Sequence, residues 1–267
     1  MNKVNTPRPA APETPREELS GSTALTPPKL VVTLGRGARG KTWWIRWAAG
    51  RAHDQGRIVA IADADRTNAT LSAYFGKVVT PPSADDDDMR DWFKDLCEQQ
   101  IEKRYSIFLD LGGGDLFLKK IAREIRLATF LGSHGVETVA VHLIGPDRDD
   151  LAYLRDLEEG GLFAPQATIL VLNEALVPAG RSVETAFKVV LDSPIFRDAL
   201  TRGAKSVWMP RLAPAPEVDA RRLTFAAAEA GNVIEGQSPI GLWDRELITL
   251  WRRVMEQNFA PVADWLP

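Results

Sequence analysis

Lys29-Leu-Val-Val-Thr-Leu34, followed without a break by Gly35-Arg-Gly-Ala-Arg-Gly-Lys41-Thr42, is the stretch on which the fold turns. The first six residues read as a buried strand. The next eight satisfy the pattern G-x-x-x-x-G-K-[ST], and an amphipathic segment follows them, so the motif lies between strand and helix, where a phosphate-binding loop belongs. Glycines let the backbone curl until successive N–H groups point at phosphate oxygens, and the helix N-terminus adds a field that favours anions. Gly35, Arg36, Gly37, Ala38, Arg39, Gly40, Lys41 and Thr42 are therefore expected to bind nucleotide phosphates. Lys41 is expected to reach the β- and γ-phosphates and the Thr42 hydroxyl to ligate Mg²⁺. Trp43, Trp44 and Trp47 follow on the helix and are read as core aromatics.

Downstream, short apolar runs alternate with longer amphipathic segments, which predicts an α/β fold: a mainly parallel central sheet flanked by helices. Strands are expected over 29–34, 57–62, 106–111, 138–144, 168–172 and 206–209. Ile-Val-Ala-Ile-Ala (58–62) and Ile-Leu-Val-Leu (169–172) are apolar at consecutive positions, as strands covered on both faces are. Helices are expected over 40–55, 88–104, 115–131, 147–159, 183–191, 216–230 and 239–258, with Gly56 ending the first and Asp115 and Asp147 capping two others. The acidic run Asp85–Asp88 reads as a solvated lead into a helix, favoured by the dipole, rather than as a metal site.

The chain has 267 residues, 45% hydrophobic and 26% charged, with a formal net charge of −3. This suits one large domain over 29–267 and excludes a generally polyanion-binding surface, so any contact with nucleic acid must be a local patch. Residues 1–28, rich in Pro and poor in core formers, are expected to be a disordered tail available to a partner. A single cysteine, Cys97, permits no intrachain disulfide. The absence of a long apolar span and of a basic-then-apolar leader points to a cytoplasmic protein.

Hydrolysis requires acidic residues near the loop, and two strand ends supply them: Asp63-Ala-Asp65-Arg-Thr-Asn68-Ala-Thr70 and Asp110-Leu-Gly-Gly-Gly-Asp115. In a parallel sheet the carboxyl ends of neighbouring strands face one crevice, so Asp63, Asp65 and Asp110 are expected to converge there. The ordered set GRGARGKT, DADRTNAT, LDLGGGD and LVLNE, over roughly residues 29–211, resembles the ParA/MinD group of P-loop ATPases with a deviant Walker A motif. The resemblance implies that Asp65 positions the attacking water, that Asp63 supports the metal and that Asp110 is the Walker B carboxylate. It implies that Asn173 reads the adenine edge, with Pro210 in the segment packing near the base. It also implies an ATP-dependent homodimer in which the residue after the first glycine, Lys in the family and Arg36 here, reaches the partner's phosphates beside the catalytic Lys41 and Asp65. No guanine-reading N-K-x-D follows Leu172, which favours ATP over GTP.

The wording of the two acidic motifs is most similar to the TraL-like and StbC-like members on conjugative plasmids, implying a role in transfer, stability or partition and plasmid DNA or a DNA-bound protein as partner. Arg202, Lys205, Arg211, Arg221 and Arg222 are a possible DNA-facing patch or scattered solvated charge. Trp243, Leu247, Leu250, Trp251 and Val254 share a helical face, read as packed on the domain; the acidic residues opposite them weigh against a membrane. A P-loop small-molecule kinase, and a module that holds nucleotide without hydrolysing it, are the alternatives.

Overall fold

A computed structural model describes residues 26–65, 70–112, 117–159, 161, 163–234 and 236–267. Six parallel strands form one sheet in the order β2-β3-β1-β4-β5-β6. They are β1 (Lys29–Leu34), β2 (Val59–Ala64), β3 (Ser106–Leu111), β4 (Glu137–Ile144), β5 (Ala167–Asn173) and β6 (Lys205–Met209). Alternate residues of β1 feed opposite layers: Val31 packs with Trp44 and Ile45, while Leu30 and Val32 pack with Phe93 and Leu96. This period-2 division lets an unbroken apolar run satisfy helices on both faces.

One face is covered by α1 (Lys41–Asp54) together with later helices; the other begins with α2 (Asp86–Lys103), α3 (Phe117–Glu124) and α4 (Leu127–Ser133). The segment after β4 is irregular: a 3₁₀ turn Arg148–Leu151, the single turn α5 (Ala152–Leu154) and a π-turn Arg155–Glu159 stand where one helix over 147–159 was expected. Then come α6 (Val183–Leu191), α7 (Pro194–Thr201), α8 (Ala215–Ala220), α9 (Phe225–Ala230) and α10 (Leu242–Phe259). Trp44 and Trp47 are core, and Trp43 packs edge-on against Phe225 with ring centroids 4.9 Å apart. The expected helix start at the acidic run is present: the Asp85 side chain accepts from the Asp87 N–H, with Asp86, Asp87 and Asp88 in the first turn.

Three further expectations need correction. The segment 115–131 is two helices, α3 and α4, with Asp115 outside the described residues. The segment 216–230 breaks at Arg222, which takes a left-handed φ of 50°. And α10 does pack on the domain, but through Ile248, Trp251, Met255 and Phe259, leaving Trp243 79% exposed and Leu250 and Val254 exposed as well. At about 100° per residue, Trp243, Leu250 and Val254 fall on the side of the helix opposite Ile248, Met255 and Phe259. No helix among the described residues is long and apolar enough to cross a membrane.

Candidate nucleotide-binding site

The site begins as a row across three adjacent strands. In register, Thr33 of β1 pairs with Asp110 of β3, and Asp110 pairs with Asp63 of β2. Asp110 is buried; its Oδ1 accepts from Thr33 Oγ1 at 3.0 Å and its Oδ2 from Thr42 Oγ1 at 2.9 Å. Burial pushes the Asp110 carboxyl up to about 6, against the opposing pull of the Thr42 hydrogen bond and the Lys41 charge. Burial likewise raises Asp63, whose two oxygens accept the backbone N–H groups of Asp65 and Leu71. Asp65 lies against the end of β3: a Cβ on Gly112 would stand 3.1 Å from Asp65 Oδ1. The structure thus brings Asp63, Asp65, Asp110, Lys41 and Thr42 together at one end of the sheet.

The loop itself is a built cradle. Gly35 has φ 137° and a Cβ there would meet the Leu143 carbonyl oxygen at 2.7 Å; Gly40 has φ 93° and a Cβ would meet Asn173 Nδ2 at 2.7 Å. Neither position admits another residue without displacement of its surroundings. Lys41 is buried, its Nζ donating to the Gly35 and Arg36 carbonyls at 3.3 Å each, and desolvation lowers its pKa while Asp110 and Asp65 pull it back up. Gly37, Ala38, Arg39, Gly40, Lys41 and Thr42 line an open cleft of about 520 Å³ with Asp65, a volume suited to a small-molecule ligand.

This chemistry fits Mg²⁺. A hydroxyl and two carboxylates are hard oxygen donors, and Mg²⁺ characteristically takes one or two carboxylates and completes its shell with substrate phosphates and water. No group of three or more His, Cys, Asp or Glu side chains that could hold a metal ion occurs among the described residues.

The two loop arginines pair with acids of their own chain. Arg39 donates Nε to both oxygens of Asp150 at 2.8 Å. Arg36 donates Nη1 to Asp147 at 3.1 Å and to Asp150 at 3.5 Å. Asp150 is buried and also accepts the Gly145 N–H at 2.8 Å, so it needs cationic partners, and the loop supplies them. Asp147 is held below the usual carboxylate range, first by the Asp149 N–H and then by Arg36. Both acids follow β4, which joins β1 at the point where the strand order reverses, the usual ligand crevice of such sheets. Sequence reading treated Asp147 as a cap only and missed Asp150; the available signal was an acidic cluster after a strand adjoining the loop strand. Thr33 was missed too, although a lone hydroxyl in an apolar strand was visible.

Asn173 is buried at the end of β5, where its Nδ2 donates to the Arg39 carbonyl and its Oδ1 accepts the Ala175 N–H, each at 3.0 Å. It braces the loop from below and caps the turn after its own strand. Pro210 follows Met209, the register partner of Asn173, and its carbonyl accepts the Trp251 indole N–H at 2.8 Å. Of the basic residues proposed as a DNA patch, Arg211 donates to the Ala175 and Val177 carbonyls, Arg221 to Glu217 and the Ser238 carbonyl, and Lys205 to the Pro261 carbonyl. Those three are engaged within the chain. Arg66, Thr67, Asn68, Gly113, Gly114 and Asp115 lie outside the described residues.

No protein-family model matches the chain, and no curated protein matches it. Among solved structures it is similar to chloroplast FtsY from Physcomitrella patens, at 14% identity and TM-score 0.45, over 84% of this chain and 66% of that one. It is similar to FtsY from Mycoplasma mycoides at 19% identity and TM-score 0.37, over 54% and 52% respectively. It is similar to the MinD cell division protein of Aquifex aeolicus at 14% identity and TM-score 0.45, over 85% and 96%. The matched part spans just under two thirds of the first FtsY and about half of the second. The α/β P-loop NTPase architecture stands on the sheet order, the glycine cradle and the Thr33–Asp110–Asp63 row.

Proposed function

We propose that the protein is a Mg²⁺-ATP-dependent, dimerising switch ATPase of the ParA/MinD type, working in plasmid transfer, stability or partition in the cytoplasm. The observation that carries the nucleotide reading is the buried Asp110 carboxylate bonded to Thr42 of the loop, beside Lys41. Thr42, Asp110 and Asp63 would hold Mg²⁺, and the metal when bound would neutralise phosphate charge. Lys41, already desolvated, exchanges its two loop carbonyls for phosphate oxygens. Asp65 positions the attacking water from its place beside Gly112 and Lys41. Gly35 and Gly40 let backbone N–H groups approach the phosphates without a Cβ in the way. The absence of N-K-x-D after Leu172 supports ATP as the nucleotide, with Asn173 and Pro210 on the base side.

Arg36 lies at the rim with its side chain 42% exposed, paired to Asp147 and Asp150. In the dimer it leaves these acids for the partner's phosphates, and its planar, permanently charged fork suits that exchange. The plasmid role rests on the wording of the two acidic motifs. Light-scattering mass with ATP, with ADP and without nucleotide, repeated with plasmid DNA, tests the reading. The expected result is a dimer with ATP alone, lost in Lys41→Ala and weakened in Arg36→Ala, with turnover lost in Asp65→Ala. Failure of the wild-type chain to bind ATP overturns it. A wild-type chain that stays monomeric with ATP while its turnover still needs Arg36 overturns the dimer and places that arginine in cis.

A further inference from the structure

On the far side of Arg46 from the phosphate loop lies a second cavity of about 520 Å³, between the C-terminal half of α1, the start of β2, residues 75–77 and helices α9 and α10. Its walls are of two kinds. Trp47, Ile61, Phe75 and Phe225 give it an apolar body, and Arg51, Arg57 and Lys77 bring positive charge. The lining has five Lys and Arg side chains against two carboxylates, Asp54 and Glu256, and those two are already paired with Arg252 and Arg51. Arg57 gives Nη1 to a neutral acceptor, the Leu266 carbonyl.

Two further observations point to a ligand. Arg46 and Arg51, both nearly buried, each keep one guanidinium nitrogen without a hydrogen-bond partner among the described residues: Nε of Arg46 and Nη1 of Arg51. Such unmade bonds are costly, so they are rarely retained without a use. Gly50 stands inside α1, where glycine costs about 1 kcal/mol relative to alanine. Close packing does not account for it, because a Cβ built there meets nothing within 4 Å. The missing side chain leaves the cavity open.

We propose that this cavity is a second ligand site, for an amphipathic anion: one carboxylate, sulfonate or phosphate on an aromatic or branched apolar body. The apolar body lies against Trp47, Phe75 and Phe225, and the anionic head faces Arg51, Arg57 and Lys77. Arg46 is the wall shared with the phosphate-loop cleft, which it also lines with Tyr74 and Asp219. Its guanidinium stacks 3.6 Å from the Tyr74 ring centroid and bonds to Asp219, and Tyr74 follows directly on the segment after Asp65. Occupancy of one site therefore shifts affinity at the other, reciprocally. This coupling, unlike the binding itself, rests on the nucleotide reading of the loop.

The test is titration of the full chain, without nucleotide, with 1-anilinonaphthalene-8-sulfonate and with its neutral relative N-phenyl-1-naphthylamine. One saturable sulfonate site is expected. Gly50→Phe weakens it at least tenfold with melting temperature kept or raised, Arg51→Ala weakens the sulfonate more than the neutral dye, and Trp243→Ala changes neither. Unchanged sulfonate affinity in both Gly50→Phe and Arg51→Ala overturns the site, as does loss of binding in Trp243→Ala, which would place the dye on the exposed face of α10. Repeated with Mg²⁺-ATP, the sulfonate affinity shifts about fivefold or more. ATP that binds without such a shift overturns the coupling. ATP that fails to bind overturns the nucleotide reading and leaves the cavity result standing.

Discussion

Asp110 shows how one side chain couples the site to stability. Its folded pKa of about 6 lies above the ~3.9 of an unfolded aspartate. Between those values the folded chain holds a proton that the unfolded chain has lost, so this group's share of stability is fully present below about pH 4 and is lost as pH rises through 6. Asp110→Asn removes that loss. Without metal, it is expected to raise the melting temperature at pH 7.5 more than at pH 4.5 while abolishing Mg²⁺-dependent nucleotide binding; equal shifts at both pH values in thermal melts would contradict this. Cys97, buried and pushed up to about 12, is expected to resist iodoacetamide at pH 8 until the chain unfolds, which mass spectrometry across a urea series would show.

At the scale of elements, backbone strain separates two substitutions. Gly35→Ala forces a Cβ to 2.7 Å from the Leu143 carbonyl at a φ of 137°, so a loss of about 2 kcal/mol or more is expected by urea denaturation. Arg222→Gly, at a φ of 50°, relieves a left-handed residue and is expected to gain about 1 kcal/mol by the same assay. The six strands were legible because each is a compact apolar run. β2 lies two residues later than expected: the Arg57 N–H bonds back to the Ala52 carbonyl, which keeps the chain in the α1 terminus and leaves Asp63 within the ladder. The breaks inside 115–131 and 216–230 carry no Pro or Gly at the interruption, so periodicity did not show them, although Thr224, whose hydroxyl accepts the Ala227 N–H and caps α9, was a local signal for the second. α7 was missed although Ser193-Pro194 is a good helix start, because the helix is only eight residues long. The loop and the acids of β2 and β3 were readable from local motifs. Asp147, Asp150 and the Arg46 bridge join residues over a hundred positions apart and are visible only in the fold.

For the whole molecule, on the proposed dimer reading, the acids after β4 set how readily Arg36 leaves its own chain. Asp147→Ala removes one of the two acids holding Arg36 while Asp150 still holds Arg39. It is expected to strengthen ATP-dependent self-association several-fold in light-scattering titrations; weaker association would mean that Asp147 positions Arg36 rather than restrains it. The aromatic cluster beside the loop has an optical consequence. The Trp43 and Trp251 rings lie 6.3 Å apart at 67°, and the Arg46 guanidinium sits 4.6 Å from the Trp43 ring centroid. Indoles this close and this steeply inclined couple their electronic transitions, and a charge over one of them shifts its emission. Trp43 lines the cleft of the loop, and Arg46 borders both cavities. The chain therefore carries its own chromophore for both: near-ultraviolet circular dichroism and unlabelled fluorescence should register an arrival in either cavity.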